Sequence, residues 1–135
     1  MDPTSTDSVR LTVPAAPAAV RVARAGAAGL ATRAGFTYHE VEQLRLAVGE
    51  AAALLAAEPE GEGTLALTFE VEPDGLRVEL RLVGDAAPGR RVPTPLPSVA
   101  EAVLDAATDA WHVDAGRRRV VLHKRRSDAD ADDDD

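Results

Sequence analysis

The chain has 135 residues, 45% of them hydrophobic and 28% charged, with no cysteine and four aromatics, Phe36, Tyr38, Phe69 and Trp111. That length gives room for one domain around one core, and the missing cysteines exclude disulfides, thiolate metal sites and a cysteine nucleophile. The net charge of −8 is local: six of the 23 acids are aspartates in 127–135, which leaves 17 acids against 15 bases in the body, a balance that argues against a nucleic-acid partner.

Met1 to Ser8 is polar and acidic, without the basic-then-apolar order of a signal peptide, and no apolar run reaches the length of a membrane span. A cytoplasmic location and no membrane partner are therefore expected. With so few aromatics the core must be built from Val, Leu and Ala. Such a core is thin per residue and leans on aliphatic packing or on a partner.

Val9 to Val13 alternates apolar and polar residues, the pattern of a half-buried strand. Pro14 and Pro17 punctuate it, and Pro17 suits the first turn of a helix, where a missing N–H is harmless. That helix runs to Ala34, with Val20, Ala23, Ala27, Leu30 and Ala31 on one stripe and Gly35 at its stop. Thr37 and Glu40 then spell a capping box. The helix they open runs to about Ala57, with Val41, Leu44, Val48, Ala51 and Leu55 facing one way.

Leu65, Leu67, Phe69 and Val71 alternate with small or polar residues, Asp74-Gly75 marks a turn, and Leu76, Val78, Leu80 and Leu82 alternate again. This spells an antiparallel hairpin with one wet and one buried face. Residues 84–97 hold four prolines and two glycines and read as a loop. Ser98 with Glu101 spells a second capping box and a helix to about Ala110. Trp111 to Val113, a turn at Asp114-Ala115-Gly116, and Arg119 to His123 complete a final hairpin. The order β-α-α-β-β-loop-α-β-β predicts an α/β domain of the two-layer α+β kind: one mixed, mostly antiparallel sheet with its helices on one face. Expected boundaries are a flexible 1–8, a domain over 9–126 and a disordered acidic tail over 127–135.

The order and the stretch GFTYHEVEQLRLAVGEAAALL, residues 35–55, resemble the anti-sigma-factor serine kinases (the RsbW type) of the GHKL, or histidine-kinase-like, ATPases with the Bergerat fold. The strand, the Pro-rich step at 14–17, the first helix and the closing DAWHVDAGRRRVVLHK hairpin are similar too. The resemblance covers about residues 9–126, and order and spacing fit better than signature residues. It implies an ATP and magnesium site in which a helical Glu is a base near the γ-phosphate and an Asn four residues on helps hold the metal. Glu50 stands at the Glu position. Leu54 stands at the Asn position, and an isobutyl group cannot coordinate a cation.

The resemblance also implies a buried Asp at the end of the third strand, bonded to the adenine amino group and followed by D-x-G-x-G. Leu82 falls at that Asp and Gly84 at the first Gly; a slip would offer Asp85 instead, but the hairpin alternation sends Leu82 inward. The second glycine box has no counterpart in VPTPLPSVAEAV. Glu50 is thus either a base or a solvated relic, and the loss of its magnesium partner favours the relic.

Arg24 falls where relatives grip a sigma factor, with Arg21 one turn earlier; both read either as partner-binding or as solubilising residues. Ala23, Gly26 and Ala27 around them suit either a partner's backbone or ordinary packing on the sheet. His39, His112 and His123 lack metal-ligand spacing, so no metal site is expected from them. Arg117 to Arg119 and Lys124 to Arg126 form a basic stretch that the aspartate tail could screen.

The expected function is an anti-sigma-like regulator that binds a sigma factor or an anti-anti-sigma antagonist with weak or no ATP turnover. The alternative is an active ATP-dependent serine/threonine kinase that phosphorylates the antagonist, with Mg·ATP held through Glu50, another magnesium ligand and Asp85. The resemblance further implies pairing as a homodimer through the first strand and helix.

Overall fold

The structure, a computed structural model, describes residues 8–56, 63–84 and 92–127. Residues 1–7, Asp85 and the tail beyond Ser127 lie outside them. The chain runs β1 (Ser8–Pro14), α1 (Ala19–Arg33), α2 (Tyr38–Leu55), β2 (Thr64–Glu72), β3 (Gly75–Val83), α3 (Ser98–Ala107), β4 (Ala110–Asp114) and β5 (Arg119–Arg125). The five strands form one sheet in the order β1-β2-β3-β5-β4, with every described pairing antiparallel.

Alternation decides which face is buried. Leu65, Leu67 and Phe69 of β2 stand opposite Leu82, Leu80 and Val78 of β3, and all six are buried. Val120 and Leu122 of β5 continue the layer. The three helices cover this face, with α2 packed between α1 and α3. No described helix is long and apolar enough to cross a membrane.

Small residues set how closely the helices lie. Ala19, Ala23, Ala27 and Ala31 of α1 and Ala47, Ala51 and Ala52 of α2 are buried, and such side chains let neighbouring helices approach at the short end of the usual 8–10 Å. Gly26 backs onto Leu11 of β1, where an added Cβ would lie 3.1 Å from Cδ2. The small residues of α1 are therefore spent on packing within the domain, not on a partner's backbone.

The Thr37–Glu40 box forms as read. The Glu40 N–H donates to Thr37 Oγ1 at 3.2 Å, and the Thr37 N–H donates to Glu40 Oε1 at 2.9 Å. Glu40 also takes the Ser127 N–H on Oε2 at 2.7 Å, which ties the C-terminal end of the domain to the start of α2. Ser8 is the first residue of β1.

Four readings of local structure need correction. The Ser98–Glu101 box is not made: Pro97 takes the N-cap with φ −56° and ψ 140°, and no side chain caps α3. Ser98 is already helical, one position too late for its hydroxyl to reach the orphan N–H groups. That helix also stops at Ala107, and Ala110 opens β4 instead. The hairpin turn is Pro73-Asp74, because Gly75 pairs with Glu72 on one side and Arg125 on the other. Gly75 is needed for closeness: a Cβ there would collide with the Lys124 carbonyl oxygen of β5. Finally, the last turn spans Ala115 to Arg118.

Candidate functional site

Topology gathers particular ends of elements. α2 finishes where β2 begins, and the register places Thr64 beside Val83. Leu54 and Gly84 therefore share one end of the sandwich, and α3, which follows β3, starts from that end. Glu50 lies one turn further into the domain.

Which way Glu50 and Leu54 look follows from a third residue. Gln43, Glu50 and Leu54 are spaced by seven and four, which keeps them on one helical stripe. Gln43 Nε2 donates to the Ala106 carbonyl of α3 at 3.4 Å, so this is the stripe that faces α3. The same Gln43 accepts from Lys124 Nζ at 2.6 Å, and Lys124 is only 8% exposed. One amide thus joins α2, α3 and β5.

Glu50 and Leu54 are both half-buried, and Glu50 makes no hydrogen bond or ion pair with another described residue. Val92 is buried in the core, and Leu96 packs against it.

A magnesium-bound triphosphate needs hard oxygen ligands and a cradle of backbone N–H groups. Of such oxygen donors, Glu50 keeps a carboxylate among the described residues. Leu54 offers no oxygen, and no cluster of three or more His, Cys, Asp or Glu among the described residues could hold a metal. Residues 92–97 contain Pro93, Pro95 and Pro97, each without an N–H. Glu101 stands in the first turn of α3, where its charge opposes an incoming phosphate. Leu82 is 5% exposed and belongs to the core, as the hairpin alternation predicts. Asp85 lies outside the described residues, so Glu50, Leu54 and Gly84 are the site positions that can be compared.

Arg21 and Arg24 sit elsewhere, on the other flank of α2. With Pro17, Val20, Ala53 and Ala56 they line a shallow cleft of about 470 Å³. Arg21 is exposed. Arg24 is half-buried and lies across Gly49, where a Cβ would come 2.7 Å from its Cδ. Gly49 is a position that the periodicity alone passes over. Its signal was there, because a glycine inside a strong helical pattern marks a close approach. Gln43 and Lys124 gave no such signal: each is an ordinary surface type whose burial depends on tertiary packing.

The sequence profile of the histidine kinase-like ATPase domain matches residues 13–127. Among individual proteins, the serine-protein kinase RsbW of Bacillus velezensis (strain DSM 23117 / BGSC 10A6 / LMG 26770 / FZB42) is 36% identical over 86 residues, which is 62% of this chain and 54% of that protein. The protein of the same name from Bacillus subtilis (strain 168) is 36% identical over 83 residues, 59% of this chain and 52% of its own length. The one from Listeria innocua serovar 6a (strain ATCC BAA-680 / CLIP 11262) is 34% identical over 77 residues, 55% and 49%. The chain thus spans about half the length of the curated relatives it matches.

Proposed function

The chain belongs to the histidine kinase-like ATPase domain family, and we propose that it serves there as an anti-sigma-like regulator that holds a protein partner, with weak or no ATP turnover. The observation that carries this reading is the α3-facing stripe of α2, where Glu50 remains but Leu54 replaces any oxygen ligand. In a family that generally binds ATP with magnesium, the aliphatic Leu54 and the prolines at 93, 95 and 97 support a scaffold role. Kinship with proteins named serine-protein kinases supports a regulatory role for the domain.

The partner is a sigma factor or an anti-anti-sigma antagonist, and Arg21 and Arg24 are the residues that meet it. Arg24 is suited to this because its arm rests on Gly49, which leaves less side-chain entropy to lose on binding. A homodimer is the oligomeric form that fits the same reading.

Binding of the purified chain to the sigma factors and antagonists of its source cell, measured with and without Mg·ATP, tests the proposal. Micromolar or tighter binding that needs no nucleotide is expected. Arg24→Glu should weaken it by about tenfold or more, equivalent to about 1.4 kcal/mol, and the exposed Arg21→Glu by less. Absence of binding to every such protein, or binding unchanged in both variants, contradicts it.

A second reading keeps the enzyme: an ATP-dependent serine/threonine kinase acting on the antagonist. The carboxylate retained at Glu50 favours it, as do the kinases among the relatives. It requires a magnesium ligand other than Leu54 and an adenine partner such as Asp85.

A further inference from the structure

On the sheet face that carries no helix, β3 and β5 place two arginines directly opposite one another: Arg81 pairs with Arg119 in the ladder. Like charges facing each other across a sheet repel. The turn before β5 adds Arg117 and Arg118 to the same spot. Together with Leu82, Val83, Gly84 and Gly116 the four arginines line a cleft of about 400 Å³.

The local carboxylates do not neutralise them. Arg119 Nη1 lies 3.7 Å from Glu79 Oε2, but Glu79 is shared with Arg77 at 3.4 Å. Arg117 reaches Asp114 at 3.8 Å from a largely exposed position. Arg81 and Arg118 have no carboxylate partner among the described residues. The Nε of Arg119 is buried and lacks an acceptor.

Arg118 adds an independent sign. Its φ of 53° lies in the left-handed region, which ordinarily takes Gly or Asn. The strained backbone is held on both sides: the Arg118 N–H donates to Ala115 O at 3.2 Å, and the Leu82 N–H donates to Arg118 O at 3.0 Å. A guanidinium therefore hangs from a fixed point where a smaller residue would fold more easily. Strain of this kind gathers where a site needs a group in place.

We propose that Arg81, Arg117, Arg118 and Arg119 form a binding site for a short phosphate chain, on the opposite side of the sheet from the helix layer. Planar guanidinium forks match phosphate oxygens in pairs, and the cleft falls within the size of small-ligand sites. None of its eight lining residues is aromatic and four are arginines, so recognition rests chiefly on the phosphates. The chain comes either from a free oligophosphate or from the phosphate end of a nucleotide.

Titration calorimetry of the full chain, without magnesium, distinguishes these sources. Tripolyphosphate, ATP and GTP are each the titrant, at low and at roughly tenfold higher ionic strength. The expected result is binding of all three within about threefold of one another, weakened by salt, and at least about tenfold weaker in Arg81→Gln/Arg118→Gln. Arg81→Gln alone, exposed and without a carboxylate partner among the described residues, should reduce binding without lowering the melting temperature, which separates the site from folding. Glu50→Ala should leave it intact, so the outcome is independent of the proposed regulator's α2–α3 groove. Tripolyphosphate binding that is absent or unaffected by these arginine variants overturns the proposal. So does ATP binding without tripolyphosphate binding, or binding seen only with an oligonucleotide.

Discussion

A Leu44→Ala protein is expected to lose about 3–5 kcal/mol of stability and to melt roughly 10–20 °C lower in a thermal scan followed by circular dichroism. Leu44 is fully buried on the sheet-facing side of α2. Removing its isobutyl group costs the transfer free energy of the lost atoms and leaves a cavity. The cavity term should be large here, because Val41, Ala47 and Val48, its buried neighbours one turn away on α2, have short side chains with little reach to fill it. A whole domain is stable by only about 5–15 kcal/mol, so α2 and the site it carries depend on this side chain. A loss under about 1 kcal/mol would mean that α2 is not the central helix of the core.

Glu40→Ala should cost about 2–4 kcal/mol, because one carboxylate serves both Thr37 and Ser127 and charge-assisted hydrogen bonds are worth about 1.5–3 kcal/mol each without adding fully. Its removal takes away the carboxylate half of the α2 capping box and the tie to Ser127 together. The same side chain sets a pH dependence. Burial by itself raises the Glu40 pKa, but the hydrogen bonds from Ser127 and Thr37 outweigh it and leave the group below its usual value. A depressed carboxylate pKa adds stability above the unfolded-state value and loses it as pH falls through the folded-state value. Urea midpoints should therefore fall as the solution is taken from neutral to below about pH 4. In Glu40→Gln that fall should be shallower; an identical slope in both proteins contradicts the assignment.

The sequence announced whatever depends on local pattern. Alternation in Leu65 to Leu82 gave the hairpin and its inward face, and the Thr37–Glu40 spacing gave the start of α2 to the residue. The same signature failed at Ser98 because a capping box works only if its first residue stays outside the helix, and Pro97 already holds that place. Asp74-Gly75 looked like a turn, yet Gly75 serves the approach of β5, a strand fifty residues away in sequence.

The candidate site was legible as a set of positions: Glu50 and Leu54 share a stripe because of helical spacing alone. That this stripe faces α3 depended on Gln43, whose partners lie 63 and 81 residues away. The arginine cleft was harder still. A run of three arginines reads as an exposed basic strand end, and only the pairing of β3 with β5 brings Arg81 to it.

Mg·ATP titration into the Arg81→Gln/Arg118→Gln protein tests the central claim most directly, because that background weakens the arginine cleft and leaves Glu50 untouched. The account predicts that any binding left there neither requires magnesium nor changes in Glu50→Ala. Micromolar binding that requires magnesium and disappears in Glu50→Ala would contradict it and restore the kinase.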